Sequence, residues 1–514
     1  MNGAMNGVFP VVLATINARY AHASLGLRYL FANAGDLQSR IVLVELVCGN
    51  PIGAMADRIL AHGPSIVAFG VYIWNVVETT ALIRALRDRT PALTVIVGGP
   101  EVSHEADDQA ICRLADHVVQ GPGDISFARL VRGLLDGPRP LMKTIAGEQP
   151  DLERLTLPYR HLTDRDLLER IVYVEASRGC PFKCSFCLSA LDRTAWAFPL
   201  DAFLAEIDGL VMRGARRFKF VDRTFNLKPA ASVAILDFFL RHLEAQPDDP
   251  CFVHFELVPD HLPDALKAAI ARFPPGTLQF EIGIQTFDPA VQRLIDRRQD
   301  NGRAEANLRW LKSESNAHLH VDLIAGLPGE TLAGFAAGFD RLVAIGPDEI
   351  QVGILKRLRG APITRLEAAH ALCFDREPPY EILSTGTLDA GALDAIRRMA
   401  RFHDRIVNSG RMPSLAADVL DGAPFARMMA LSEALERRYS SRRMGLEPLI
   451  EGVVDWLSVR SDRPLETLRQ MAIDDYRASG AQGRLAFMER GITATPGAPR
   501  ATPPRQSRHL ATRR

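Results

Sequence analysis

Cysteine is scarce in this chain and odd in number, seven in 514 residues, which argues against a disulfide framework and fits a reducing compartment. No apolar run reaches the roughly 18 residues needed to cross a bilayer, so a membrane-spanning protein is not expected. Basic and acidic residues balance at 61 each, leaving no global electrostatic pull toward nucleic acid or a membrane surface. Met1 to Pro10 is neutral and lacks the layout of a signal peptide, so the expected setting is the cytoplasm. What remains is the composition of an ordinary globular protein, long enough for about three domains at roughly 150 residues each.

From Val11 to about Leu135, short apolar runs alternate with amphipathic stretches. Strands are expected at Val11–Thr15, Ile41–Val47, Ile66–Val71, Thr94–Val97 and His117–Val119, with helices such as Leu25–Ala34 and Val76–Arg89. Such alternation argues for a parallel, doubly wound α/β sheet, whose ligands bind outside the carboxyl ends of the strands. The loops there are Asn17–Ser24, Tyr72–Asn75, Gly98–His104 and Gln120–Asp124. Gly98, Gly99, Gly121 and Gly123 let the backbone approach a large flat ligand. A response-regulator-like or nucleotide-binding domain is the alternative. It lacks support, because no GxGxxG follows the first strand and no acidic pair marks a phosphorylation pocket.

A second run of six strand–helix units follows a proline-bearing linker. Its strands are expected at Ile171–Glu175, Arg217–Val221, Phe252–Leu257, Leu278–Ile284, Leu319–Ile324 and Glu349–Leu355. Helical patterns at Leu200–Met212, Ala230–Leu243, Leu262–Phe273, Ala304–Lys312 and Leu332–Ile345 separate them. Six units argue for a partial (β/α)6 barrel with its reactive residues at the carboxyl ends of the strands. The first strand feeds Cys180, Cys184 and Cys187, a CxxxCxxC run with Phe186 before the last cysteine. Three thiolates satisfy three irons of a [4Fe–4S] cube and leave the fourth open. Zinc is the competing reading, but it wants a fourth Cys or His at short spacing, and the nearest histidines, His161 and His242, are remote.

These features together resemble the radical S-adenosylmethionine (SAM) superfamily, in which SAM chelates the open iron. The resemblance implies SAM contacts at Phe186, at Asp222 and Asn226 in a DxxFN segment, at Glu281 and Gln285 on the fourth strand, and at Asp322. The last opens Asp322-Leu-Ile-Ala-Gly-Leu-Pro-Gly-Glu-Thr331, similar to the DLIxGLPGxT pattern of oxygen-independent coproporphyrinogen oxidase. Glu330 is assigned to capping a helix. Arg178 either offsets the cluster's charge, binds the SAM carboxylate, or is an exposed loop arginine. Glu256 and Lys356 either pair with each other or face a substrate at the mouth.

A doubly wound domain ahead of the cysteine motif resembles the cobalamin (B12)-binding radical SAM class. That resemblance implies corrin contacts at Asn17, Tyr20, His22, Ser24, Gly98, Gly99 and Gly121; His22 and His104 are weighed as loop hydrogen-bonders as well. No DxHxxG segment is present, so the cobalt is expected to take no protein imidazole. The implied activity is reductive cleavage of SAM to a 5′-deoxyadenosyl radical for methyl transfer to an unactivated carbon of a small-molecule substrate. The electron comes from a donor such as flavodoxin or ferredoxin, and neither nucleic acid nor membrane is an expected partner. Cyclisation or rearrangement without methyl transfer, and a non-catalytic cobalamin- or redox-responsive protein, are the alternatives. A methylthiotransferase would need three N-terminal cysteines for a second cluster, and only Cys48 and Cys112 are available.

The expected domains are 1–140 (cobalamin), 141–170 (linker), 171–374 (barrel), 375–490 (helical) and 491–514 (disordered tail). In the helical region Leu393, Ile396, Ala400, His403 and Val407 form a stripe stopped by Asn408-Ser-Gly410, with further helices at Pro424–Arg438 and Pro448–Val459. The segment Pro378-Pro-Tyr-Glu-Ile-Leu-Ser384, with Asn408-Ser-Gly-Arg411, resembles an uncharacterised C-terminal domain found in a subset of the cobalamin-binding class, expected to lid the barrel mouth. The tail, with four prolines, five arginines and no acid, reads as disordered.

Overall fold

The computed structural model describes residues 9–192, 194–439, 444–488, 505 and 508. Residues 1–8 and the expected tail therefore lie outside the described residues, Arg505 and Arg508 excepted. The chain divides into two compact units. The first comprises 1–223, 356–364 and 375–381; the second comprises 224–355, 365–374 and 382–514.

The first unit opens with a parallel sheet built from β1 (Val11–Asn17), β2 (Ile41–Val47), β3 (Ile66–Gly70), β4 (Thr94–Gly98), β5 (His117–Gln120) and β6 (Thr144–Ala146). Its helices are α1 (Leu25–Ala32), α2 (Ile52–Leu60), α3 (Val76–Arg89), α4 (Ala110–Leu114) and α5 (Ser126–Asp136). Strand order is β2-β1-β3-β4-β5-β6. The order reverses between β1 and β3, so a crevice opens at their carboxyl ends. All seven residues of β1 are buried because helices cover both faces. Val12, Ala14 and Ile16 pack with Leu82, Ile83 and Leu86 of α3 on one side. Val11 and Leu13 pack with Leu27 of α1 and Phe127, Leu130 and Val131 of α5 on the other.

Helix α6 (Asp164–Glu169), capped reciprocally by Thr163 and Asp166, lies in the linker. It is tied to the sheet domain by a buried ion network. Arg28 reaches both Glu45 and Asp166 at 3.0 Å, and Arg170 reaches Glu45 at 2.9 Å. Burial opposes the charge on Glu45, yet Arg28, the Ser24 N–H and Asn17 pull its pKa down to about 2. Next come β7 (Val172–Val174), the short hairpin β8 (Ser177–Arg178) with β9 (Trp196–Ala197), α7 (Leu200–Met212), and β10 (Arg217–Phe220), which is parallel to β7.

The second unit continues the strand–helix repeat with α8 (Pro229–Ala245), β11 (Phe252–Leu257), α9 (Asp264–Ala271), β12 (Leu278–Gln285), α10 (Pro289–Leu294), α11 (Asn301–Glu314), β13 (His318–Ala325), α12 (Leu332–Ile345) and β14 (Glu349–Ile354). Strands β11 to β14 pair in parallel in that order. Counted along the chain, β7 and β10 precede these four, which gives the six strand–helix repeats expected from the sequence. Among the described residues there follow α13 (Ala390–His403), α14 (Pro413–Val419), α15 (Pro424–Tyr439), α16 (Leu446–Leu457) and α17 (Leu465–Ala478). Phe425 of α15 packs edge-on against Phe335 and Phe339 of α12, and His403 against Phe339. The helical region was expected over the barrel mouth. These contacts seat α15 against an outer helix, where its apolar stripe has an aromatic partner, while Ile382 and Leu393 pack on Gly326 just past β13.

A π-turn at Asp404–Asn408 extends α13. Its extra residue rotates the stripe, so Ile406 and Asn408 are buried in place of the expected Val407. Asn408 does more than stop a helix. Its amide oxygen accepts the Ile350 N–H at 3.0 Å and its amide nitrogen donates to the Ile350 carbonyl at 2.9 Å.

Candidate functional site

The three cysteines sit on one loop between β8 and β9, all reduced and half-buried, as is Phe186. Gly179, at φ +89°, enters the loop with no room for a side chain: a Cβ there would collide with the Thr194 carbonyl. Burial pushes the Cys180 thiol up; the Phe182 N–H and Arg223 oppose this, while Cys187 and Cys184 add to it. A thiolate at Cys180 would therefore meet like charge from Cys184 and Cys187, a repulsion that bound iron would relieve. Among the described residues no three His, Cys, Asp or Glu side chains converge tightly enough to hold a single metal ion. Soft sulfur donors on one kinked loop fit an iron–sulfur cluster.

Asp222, just past β10, braces this loop. Its carboxylate accepts the Ala176 N–H at 3.0 Å and the Ser177 hydroxyl at 2.6 Å, and burial lifts its pKa to about 7. Its carboxylate thus grips backbone and hydroxyl of the chain leading into the thiols. In the second unit Asn226 is likewise committed, donating to the Val258 carbonyl and accepting the Val258 N–H, both at 2.9 Å.

The inward faces of β11 to β13 carry the other expected SAM contacts. Register sets Glu256 beside Glu281, Glu281 beside His320, and Gly283 beside Asp322. Glu281 lies 3.3 Å from His254, and Asp322 lies 3.3 Å from His320. Burial works against charge on His320, but Asp322, Glu349 and Glu281 together hold its pKa above the usual value. Gln285 adopts φ +66°, a conformation rare outside glycine, and its buried amide oxygen has no hydrogen-bond partner. A strained residue with an open acceptor is suited to meet a ligand. Glu330 does not cap α12. Thr331 does, accepting the Gly334 N–H at 3.1 Å, while buried Glu330 accepts the Gly326 N–H at 2.9 Å and latches the turn, its pKa pushed up by burial to about 8. Lys356 falls in the first unit, bridged through its backbone to Glu381.

At the carboxyl ends of β1, β3, β4 and β5 lies a cavity of about 470 Å³. Apolar side chains including Leu13, Leu27, Ile96 and Phe127 wall it, and Gly98, Gly99 and Gly121 border it. Gly99 has φ +109°, and a Cβ there would stand 2.6 Å from the Val71 carbonyl, so only glycine fits. Asn17, Tyr20, His22 and Ser24 do not line the cavity. Asn17 bonds the His22 carbonyl and Glu45, each at 2.9 Å. Ser24 caps α1, Tyr20 donates to Glu169 at 2.7 Å, and the His22 ring bonds the Tyr173 hydroxyl. With the Ile171 N–H donating to the Ala21 carbonyl, they fasten the first loop to the linker and β7. Burial, with Arg19 and Lys219, holds the pKa of His22 below the usual value.

The polar end of the cavity comes from residues outside the expected corrin contacts. Arg178 donates from Nε to Glu175 at 2.9 Å and from Nη1 to Asp124 at 3.1 Å. Its guanidinium stacks 4.5 Å from the Tyr29 ring centroid. All four line the cavity. Arg178 is thus an inward wall, not an exposed loop arginine, and it stands two residues before Cys180. Apolar walls, a glycine rim and one charged corner fit a flat, largely apolar group with few polar edges. Cobalamin is larger than the cavity, so only part of it would enter.

A family model for the radical SAM superfamily matches residues 174–342, and one for the B12 binding domain matches residues 11–131. The chain is a radical SAM protein with a B12-binding domain. The cofactors of those two domains are a [4Fe–4S] cluster with SAM, and cobalamin. The protein is similar to the cobalamin-dependent radical SAM methyltransferase TokK of Streptomyces tokunonensis, 26% identical over 375 residues, covering 65% of this chain and 52% of that one. It is similar also to 2-(S-pantetheinyl)-carbapenam-3-carboxylate methyltransferase of Streptantibioticus cattleyicolor, 24% identical over 336 residues, 59% of this chain and 48% of the other. The matches thus span about half the length of these relatives. Among solved structures, the radical SAM methyltransferase TsrM of Kitasatospora setae, with cobalamin and a [4Fe–4S] cluster bound, aligns with a TM-score of 0.55 at 15% identity, covering 73% of this chain and 82% of that one. That likeness supports the fold. None of the described helices is long and apolar enough to cross a membrane.

Proposed function

We propose that this protein is a cobalamin-dependent radical SAM methyltransferase that transfers a methyl group to an unactivated carbon of a small-molecule substrate in the cytoplasm. The observation that carries this reading is the cavity wall at Glu175 and Arg178, which sets the B12-binding domain against the strand that runs into Cys180. When bound, the cluster supplies the electron that splits SAM to methionine and a 5′-deoxyadenosyl radical, and cobalamin supplies the methyl carrier. The protein's own residues position and enclose. Cys180, Cys184 and Cys187 hold three irons, and Asp222 fixes the loop that presents them. Glu281, Gln285 and Asp322 face one side of the barrel and take the polar edges of SAM. Gly98, Gly99 and Gly121 admit the corrin edge. A low-potential protein such as flavodoxin or ferredoxin donates the electron.

The test is anaerobic reconstitution with iron, sulfide and hydroxocobalamin, followed by SAM and dithionite. Release of 5′-deoxyadenosine together with S-adenosylhomocysteine in the presence of substrate extract supports methyl transfer. Release of 5′-deoxyadenosine alone favours cyclisation or rearrangement. Neither product from cluster-loaded protein would leave a cofactor-responsive binding protein.

A further inference from the structure

The loop after β4, residues 99–109, supplies Gly99 and Pro100 to the cavity rim. It is braced from within by Ser103, which donates to the Gly99 carbonyl at 2.8 Å and accepts the Gly121 N–H at 3.0 Å. Gln109 donates to the carbonyls of Glu101 and His104, both at 2.9 Å. One side chain of this loop is costly to leave in place: Glu101 is only 4% exposed.

Its partners come from far along the sequence. The Tyr380 hydroxyl donates to Glu101 Oε1 at 2.6 Å and Arg359 Nε donates to the same oxygen at 3.0 Å. Arg359 also donates to the Tyr380 hydroxyl at 3.1 Å and lies over its ring, 4.9 Å from the centroid. Four residues further into the loop, Glu105 accepts Arg357 at 2.9 Å and Arg359 at 3.2 Å. Gly360, at φ +82°, packs so closely on His104 that a Cβ would collide with the imidazole ring. The two segments, 356–364 and 375–381, are joined by the Arg357 N–H to the Tyr380 carbonyl at 2.9 Å and by the bridge between Lys356 and Glu381, and the second is closed on itself by the Asp375 N–H to the Glu381 carbonyl at 2.8 Å. Both are counted in the first unit although the chain on either side of each belongs to the second.

We infer that Tyr380, Arg359 and Arg357 are positioning residues that clasp the β4 loop and so retain cobalamin in the cavity, which gives the Pro378-Pro-Tyr380 segment a role in cofactor retention. A desolvated carboxylate whose donors are removed cannot stay where it is, so the loop must rearrange once the clasp is broken. Ser103 carries that rearrangement to Gly99 and Gly121, on neighbouring loops of the rim. The inference rests on the cavity being the cobalamin site.

Its test is the release of bound radiolabelled hydroxocobalamin from the full-length, cluster-loaded protein, chased with unlabelled cofactor. Tyr380→Phe and Arg359→Met each remove a hydrogen bond to a buried charge, so release should quicken by about ten- to a hundredfold. Iron loading and SAM affinity should hold. Glu101→Gln keeps an amide oxygen for the Tyr380 hydroxyl and should fall between wild type and Tyr380→Phe, a ranking that general destabilisation would not produce. Release at the wild-type rate from both variants would overturn the clasp. Should the variants not fold, hydrogen exchange on the wild type decides: cobalamin should slow exchange of residues 99–109 and 375–381 together, and protection of the first without the second would overturn it. Wild-type protein that binds no hydroxocobalamin would instead bring down the cobalamin reading itself, clasp included.

Discussion

Asp222 allows the grip on the cluster loop to be measured. It is 2% exposed, and burial lifts its pKa from 3.8 to about 7. At about 1.36 kcal/mol per pKa unit, the displacement corresponds to about 4 kcal/mol of folding free energy. The sign follows from proton linkage. Below the unfolded value both states carry the proton. As pH rises, the unfolded chain ionises first, so stability falls until the folded carboxyl ionises near neutrality, and the loss is constant beyond. Asp222→Asn abolishes this titration while keeping the contacts: the amide oxygen accepts the Ala176 N–H, and the amide nitrogen donates to the Ser177 hydroxyl, which turns to accept. The stability difference should therefore swing toward the variant by about 4 kcal/mol between about pH 4 and about pH 8. Urea midpoints of the metal-free, reduced proteins across that range give the measurement, and taking the difference cancels every other titration. Parallel curves for variant and wild type would refute the burial argument.

Replacing Cys180, Cys184 or Cys187 by Ala should abolish cluster absorbance and SAM cleavage, since iron–sulfur clusters demand soft thiolate ligands, while Cys48, Cys251 and Cys373 variants keep both; iron analysis after reconstitution decides. Asp322→Asn turns an acceptor-only carboxylate into an amide and should weaken SAM binding by about 1–3 kcal/mol with iron content unchanged; calorimetry showing wild-type affinity would remove Asp322 from the SAM contacts. Glu45→Gln should destabilise the first unit by about 3 kcal/mol near neutral pH, the worth of a carboxyl pKa drawn from 4.5 to about 2. That contribution is present above the unfolded pKa and fades as pH falls through the folded one, so denaturation midpoints of variant and wild type should converge in acid.

Where residues near in sequence decide an element, its bounds were legible. β2, α3, α7, β11 and α12 fall where their apolar periodicity puts them. β6 was missed because Thr144–Ala146 is short and mostly exposed, with no period to detect. α14 and α17 were missed as well. Side chains answering to distant partners were the harder class. Tyr20, His22 and Ser24 sit in a loop at the right strand end, yet Glu169, Tyr173 and the α1 amides engage them. Arg178 was ambiguous in sequence because its meaning depends on Asp124, 54 positions away. Glu330 looked like a cap since an acid beside a turn usually is one; burial and the Gly326 N–H made it a latch. The cysteine run was legible because its chemistry is contained in eight consecutive residues.

Asn408 gives β14 a partner made of a side chain. A barrel that stops short of closure keeps a border where peptide groups would recruit any extended segment, including that of another copy emerging from the ribosome. An amide that offers one donor and one acceptor to Ile350 fills one rung of that ladder with a group that cannot propagate it. Protection of this border is therefore supplied by residues synthesised after the barrel. Until the ribosome has released Asn408, the nascent barrel exposes Ile350, and chains terminated before this residue should collect as aggregates although every barrel strand is present.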